Sequence, residues 1–186
     1  MEKKIAKIWK LPSEFEFFNN SAKIKSKKTK WLAPKPHWYK LNFDGSSQNV
    51  CQVGGGIIRD HLGNTVAAYA SNLKNHTITQ AEEMALLWGQ RFATSISIKH
   101  LEIEGDSQII MEMVSSRSVV GWKVDPILRD VRMLLANLDD FTIRHIFREG
   151  NAAMDSMAVV GRLQNNLRCW RSPNLLPVTT KVILEI

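Results

Sequence analysis

Between Tyr39 and Ala70 the chain passes through three short apolar stretches separated by polar turns. In the first, Tyr39-Lys40-Leu41-Asn42-Phe43-Asp44-Gly45-Ser46, Leu41 and Phe43 alternate with Asn42 and Asp44, the period of a half-buried strand. A polar turn over 46–52 leads to Val53-Gly54-Gly55-Gly56-Ile57-Ile58-Arg59-Asp60. The turn His61-Leu62-Gly63-Asn64 then leads to Thr65-Val66-Ala67-Ala68-Tyr69-Ala70. This order predicts an antiparallel meander of three strands. The triple glycine does not read as a phosphate loop, because it lacks a Gly-Lys-Ser/Thr ending and runs into a strand rather than a helix. It reads as strand backbone that bulges or is closely approached.

After the meander the period changes. Residues 77–94 read as a long helix, with Ala81, Ala85, Trp88 and Phe92 in one apolar stripe. Thr79-Gln80-Ala81-Glu82 fits a capping box at its start. Leu101-Glu102-Ile103-Glu104-Gly105-Asp106 repeats the opening theme, apolar alternation that ends in a carboxylate. Residues 107–114 look helical with Asp106 as N-cap, 115–125 form a loop, and 126–138 make another helix with Pro126 near its start. A final strand spans 141–147. The turn Arg148-Glu149-Gly150-Asn151 follows, and Asn151 can cap a helix through about Leu163. The coarse order β-β-β-α-β-α-α-β-α implies a mixed sheet covered by helices. No internal repeat is visible.

A chain of 186 residues suits one domain with tails. Residues 1–36 read as a Lys-rich tail and linker, ended by Pro34 and Pro36; residues 37–165 read as the folded domain, and 166–186 as a C-terminal tail with Pro173 and Pro177. Val and Ile within 176–186 suffice for an extra edge strand. Residues 1–40 hold 11 Lys against 3 Glu, a net of +8, which leaves 25 − 11 = 14 basic and 18 − 3 = 15 acidic residues in 41–186, a net of −1. The basic arm fits a polyanion partner and equally a solvated linker. Its run Lys23-Ile24-Lys25-Ser26-Lys27-Lys28-Thr29-Lys30 matches a nuclear-localisation or nucleic-acid segment as well as plain disorder. The chain has no long apolar run for a membrane span and no signal-peptide pattern. Cys51 and Cys169 lie far apart without metal-type spacing. The expectation is an intracellular protein, nuclear or cytoplasmic, neither secreted nor membrane-bound, with reduced cysteines. Two glycosylation-type triplets, at Asn19 and Asn75, then carry no meaning.

Four acids stand out by placement. Asp44 ends the first strand, Glu82 lies in the first turn of the first helix, Asp106 ends the fourth strand and Asp155 lies one turn into the last helix. Each alone has a bland reading: turn residue, capping-box partner, N-cap, solvated helix surface. Together they can converge at one end of a sheet. Clustered carboxylates raise one another's pKa, and hard divalent cations with oxygen preference relieve that repulsion. Four carboxylates at one place suit two metal ions that clamp the attacking and leaving oxygens of a phosphoryl transfer.

These stretches also resemble a known family, the ribonuclease H-like domains of plant proteins and non-LTR retrotransposon polyproteins. The resemblance rests on Trp31-Leu32-Ala33-Pro34 leading into Lys40–Ser46, on Gly55-Gly56-Ile57-Ile58-Arg59-Asp60 with Gly63, and on Ala81-Glu82 ahead of Ala85-Leu86. It continues through Glu104-Gly105-Asp106-Ser107 and through Arg148-Glu149-Gly150-Asn151 ahead of Asp155, and covers about residues 31–165. It implies an α/β fold of the ribonuclease H-like kind, with a five-stranded mixed sheet, the first three strands antiparallel, flanked by helices. It also implies a two-metal endonuclease that cuts the RNA strand of RNA–DNA hybrids, using two Mg²⁺ or Mn²⁺ ions and no small-molecule cofactor. Matched residue by residue, Asp44, Glu82, Asp106 and Asp155 would be the catalytic metal ligands. A binding module of the same fold with little or no activity, derived from a retroelement, is the alternative.

Several residues depart from the family pattern. Glu83 adjoins Glu82, and only one of two consecutive helix residues can enter the site. The turn Arg148–Asn151 holds no His where many members carry a mobile one, and His145, inside the last strand, reads as structural. Met154, Ser156 and Met157 around Asp155 can loosen the last helix. Hybrid recognition needs contacts to 2′-hydroxyls. Asn42, Ser46, Ser47 and Gln48 beside Asp44, and Thr79 and Gln80 before Glu82, are the candidates, although turn and cap chemistry explains them as well. No basic protrusion follows the second helix, so affinity would rest on the groove and the Lys-rich arm. The protein is expected to be a monomer.

Overall fold

The computed structural model describes residues 32–48, 51–115, 125–148, 151–171 and 176. The Lys-rich arm, most of the 115–125 loop and the edge strand expected within 177–186 lie outside the described residues. The elements in chain order are β1 (Tyr39–Gln48), β2 (Cys51–Arg59), β3 (Thr65–Asn72), α1 (Ile78–Ser95), β4 (His100–Gly105), α2 (Gln108–Ser115), α3 (Pro126–Leu135), β5 (Asp140–His145), α4 (Ala152–Arg162) and β6 (Arg168–Trp170). The sheet order is β5-β4-β1-β2-β3-β6. β1, β2 and β3 pair antiparallel as the meander predicts, whereas β4 pairs parallel with β1 and β5 parallel with β4.

Among the described residues the sheet has six strands rather than the expected five. The sixth, Arg168–Trp170, pairs antiparallel with β3 and comes from the stretch read as a tail. Three residues are too few to show an alternation, so periodicity could not announce it. Its anchor is Trp170, buried beside Met157, Val160 and Leu176. The first turn is also tighter than expected. The β1–β2 ladder continues through Ser46↔Val53 and Ser47↔Gln52 to Gln48↔Cys51, so residues read as a polar turn belong to strands.

The two sheet faces bury different sets, as alternation along the strands requires. Leu41, Phe43, Ile58, Ala67 and Tyr69 form one core with Ala85, Leu86 and Phe92 of α1 and with Leu128 and Val131 of α3. Ile57, Ala68 and Ala70 form the other with Met154, Met157 and Val160 of α4. Met154 and Met157 are fully buried there. Their unbranched thioether chains fill the space between helix and sheet. The triple glycine serves close approach: a Cβ on Gly56 would overlap the hydroxyl of Tyr69, which donates to the Ala85 carbonyl at 2.7 Å. The register shift lies elsewhere, at Ile58/Arg59.

The part of the second face over β1 and β4 carries charge instead of aliphatic side chains. Lys40 Nζ pairs with Glu104 Oε1 at 2.8 Å and Glu102 Oε2 at 3.2 Å. Asn42 Nδ2 donates to Glu104 Oε2 at 3.1 Å, and Arg59 donates to Asn42 Oδ1 at 2.8 Å. All five residues are buried. The segment before β1 crosses this face, because Lys40 also donates to the Leu32 carbonyl and the Lys35 amide donates to Glu102. Two cations and two carboxylates thus neutralise each other out of water, which is the condition for burying them at all. No helix among the described residues is long and apolar enough to cross a membrane.

Candidate functional site

The charged ladder on β1 and β4 sets the register of the residues at its end. Lys40 stands opposite Glu102 and Asn42 opposite Glu104, the last parallel pair. One further step of the same face brings Asp44 and Asp106 side by side just past the end of that ladder, although β1 runs on to Gln48, so Asp44 lies within the strand and not at its end as expected. Asp106 lies one residue beyond β4 and before the first helical carbonyl of α2, since Ser107 O accepts from the Met111 amide at 3.1 Å. Ser107 therefore takes the cap position expected of Asp106.

Glu82 arrives from the first turns of α1. The capping box there is formed by Thr77 and Gln80, not by Thr79 and Glu82 as the sequence suggested: Gln80 N donates to Thr77 Oγ1 at 3.2 Å and Thr77 N to Gln80 Oε1 at 2.9 Å. The shift of two residues releases Glu82 from helix capping. Gly45 brings the helix close, because a Cβ at that position would overlap the backbone of Ala81 and Glu82. The Gly45 amide donates to Glu82 Oε2 at 3.0 Å.

Oxygens of Asp44, Glu82 and Asp106 all lie within 4.8 Å of one another. Glu82 is buried and the two aspartates are half-buried. Burial, then the charges of Asp44 and Asp106, push the Glu82 carboxyl up to about 9, against the pull of the Gly45 amide. A cluster this close to neutralising one of its own members has the donor set that a hard divalent cation requires. Glu83, the other glutamate of the pair, is not a member of the cluster. It is buried, its carboxyl is pushed up to about 7 by burial and by Asp125, and its Oε2 has no partner among the described residues. Glu82 is thus the glutamate that joins the two aspartates. Asp155 lies in the first turns of α4, and its side chain lies outside the described ones.

Asn151, expected as a side-chain cap, makes no side-chain cap bond. Its carbonyl accepts from Met154 N at 2.7 Å, while its Nδ2 reaches across to the Phe43 carbonyl at 3.3 Å. The side chain therefore ties the start of α4 to β1, one residue before Asp44. Among the candidates for nucleic-acid contact, Asn42 is corrected: it is 0% exposed and spends its amide on Glu104 and Arg59, so it cannot meet a ligand. Gln80 is engaged with Thr77. Ser46 is half-buried and Ser47 exposed on the β1 extension, and Thr79 is exposed on the first turn of α1. The side chain of Gln48 lies outside the described ones.

One residue beside the site was read as structural. His145 ends β5, is exposed, and its Nε2 lies 3.1 Å from the Asp106 carbonyl. The strand was expected to run to 147. It ends at His145 and the chain leaves the ladder after Ile146 N bonds to Gly105 O. That two-residue difference turns an apparent mid-strand histidine into one at the end of β5, bonded to the main chain of Asp106.

A family model described as "Reverse transcriptase-like" matches residues 42–160, the span that contains all four acids. The chain is similar to a protein of Arabidopsis thaliana that carries a ribonuclease H name, 26% identical over 132 residues, covering 69% of this chain and 21% of that protein. It is also similar to ribonuclease HI of Halobacterium salinarum, 30% identical over 124 residues, covering 62% of this chain and 60% of that protein. The chain thus spans about a fifth and three fifths of these two relatives. Among solved structures, the ribonuclease H1 crystal structure from Halobacterium salinarum superposes with a TM-score of 0.59 at 27% identity, over 67% of this chain and 97% of that one.

Proposed function

The chain belongs to the reverse transcriptase-like family of ribonuclease H-like domains, and on that premise we propose that it is a metal-dependent endonuclease that hydrolyses the RNA strand of RNA–DNA hybrids. The observation that carries the reading is the convergence of Asp44, Glu82 and Asp106 within 4.8 Å just past the end of the β1–β4 ladder. With Asp155 as the fourth ligand, these residues would hold two Mg²⁺ or Mn²⁺ ions. Bound there, the ions would supply an activated water and stabilise the leaving 3′ oxygen.

The chain's own contribution is placement. The parallel ladder and the charged pairs beneath it fix Asp44 against Asp106. Gly45 admits α1 and its amide fixes one oxygen of Glu82. Asn151 fixes the start of α4 to β1. Asp44 thus stands on a strand, Asp106 on the residue after one and Glu82 on a helix with one oxygen held by a main-chain amide, which suits a site that must not reorganise during reaction. The protein is read further as a monomer working on nucleic acid inside the cell.

The test is direct. Purified protein is incubated with labelled RNA–DNA hybrid and Mg²⁺ or Mn²⁺, beside an Asp106→Asn variant. Cleavage of the RNA strand that needs the metal and falls by at least a hundredfold in the variant is expected, on the scale of about 10²–10³ for losing one electrostatic stabiliser. Binding without cleavage by the wild type would leave a non-catalytic module. Cleavage unchanged in the variant would remove Asp106 from the site.

A further inference from the structure

We propose that the end of β5 forms a ribose-reading lip beside the carboxylates, where His145, Phe147 and Arg148 contact the sugar-phosphate of the strand being cut. The inference rests on the nuclease reading and deepens it, by naming what tells RNA from DNA next to the reacting phosphate.

The lip is exposed. Phe147 is 77% exposed, a large aromatic ring left in water directly outside the ladder. Its ring meets that of His145 edge to face, with centroids 5.8 Å apart. Arg148 follows and is exposed. An isolated exposed Phe needs no explanation. An aromatic pair followed by an arginine, attached to the backbone of a candidate metal ligand, has the composition of a nucleic-acid contact. Charge complementarity selects the occupant: a phosphodiester backbone satisfies the guanidinium, and the flat face of a sugar suits the ring.

The hydrogen bond of His145 decides what its imidazole can do. A carbonyl oxygen only accepts, so the Nε2 that faces Asp106 O carries a proton. In the neutral ring Nδ1 is then an acceptor, and it has no partner among the described residues. A ribose 2′-hydroxyl is a donor that RNA has and DNA lacks. The same bond fixes the ring to the residue that bears the Asp106 carboxylate, so the acceptor is held at a constant offset from the cluster. This arrangement supplies a contact that the buried Asn42 cannot.

The test measures binding and cleavage separately. Fluorescence anisotropy in EDTA compares a labelled RNA–DNA hybrid with a DNA duplex of the same sequence. The proteins are the wild type, Phe147→Ala, Arg148→Ala, His145→Ala and His145→Gln. All three side chains are exposed, so thermal midpoints are expected to stay within a degree or two of the wild type. Phe147→Ala and Arg148→Ala are expected to weaken hybrid binding by about tenfold each. His145→Ala is expected to lower the preference for hybrid over DNA by about fivefold, and His145→Gln, which keeps an acceptor and a donor, to retain more of it. Unchanged affinity and preference in every variant would overturn the lip, as would a wild type that shows no preference for the hybrid. The two readings fail separately. Weakened binding in variants of a protein that never cleaves would sink the nuclease and keep the lip. Full cleavage with unchanged KM in all variants would do the reverse.

Discussion

Glu82 sets burial against chemistry in one side chain. It lies in the interior end of a helix, beside two aspartates, with one amide to stabilise its charge. Without a cation the protonated form is favoured, and the folded pKa of about 9 stands above the ordinary value of 4.5. Between those values the folded protein holds a proton that the unfolded chain has released. Stability of the metal-free protein is therefore fully present below about pH 4.5 on this account and falls as pH rises toward 9, with a limiting slope of about 1.4 kcal/mol per pH unit. Urea unfolding in EDTA at several pH values is expected to show this decline for the wild type and to lose most of it in Glu82→Gln, which cannot ionise. A divalent cation takes the place of the proton, so added Mg²⁺ is expected to raise the wild-type midpoint most at high pH and to leave Glu82→Gln largely unmoved. A decline of equal size in the variant would assign it to another group, for which Glu83, pushed up to about 7, is the first choice.

At the scale of elements, two attachments determine whether the carboxylates meet. The first is the β1–β4 ladder with its buried charges. Lys40 is shared by Glu102 and Glu104, so Lys40→Met leaves two carboxylates buried against Asn42 and one arginine. A loss of about 3–5 kcal/mol in chemical denaturation is expected. Lys40→Met combined with Glu102→Gln is expected to recover part of it, because a neutral partner removes one orphaned charge. The second attachment is Asn151. Asn151→Ala removes the donor that joins α4 to the Phe43 carbonyl and is expected to cost about 1–3 kcal/mol. It should also weaken the Mg²⁺ dependence of cleavage, since α4 carries Asp155. These attachments also explain how far the sequence could be read. The three converging acids were legible from alternation and helical stripes: Asp106 follows the end of β4 and Glu82 lies near the start of α1, whereas Asp44, which alternation alone would put at a strand end, sits inside a β1 that runs on to Gln48. The buried network was not. Lys40, Glu102 and Glu104 occupy the positions that alternate with Leu41, Leu101 and Ile103, and such positions ordinarily face water. The segment 32–36, crossing that face, helps to make them interior. The roles of Asn42 and Asn151 were misread for the same reason, since a partner 62 or 108 residues away leaves no local trace.

At the scale of the whole molecule the sheet separates stability from chemistry. In the order β5-β4-β1-β2-β3-β6 the carboxylates stand at β1 and β4, whereas β6 closes the opposite edge, with β2 and β3 between. β6 was invisible in the sequence because it is three residues long with two of them exposed. Its contribution is one side chain, Trp170, 6% exposed and packed into the core that α4 shares with the sheet. Trp170→Ala removes that plug and uncovers the Met154–Met157 layer, with an expected loss of about 3–5 kcal/mol in urea unfolding. The loss should not reach the site. β1 is held on its other flank by the β4 ladder and the Lys40 network, both on the far side of β2 and β3 from β6. Assayed well below its lowered midpoint, the Trp170→Ala protein is expected to keep the wild-type KM for hybrid and the wild-type Mg²⁺ dependence. A marked fall in metal affinity at that temperature would mean that α4, which touches both β3 and β1, transmits the repacking to the carboxylates. In that case the two hydrophobic layers would have to be treated as one cooperative unit rather than as a site and a support.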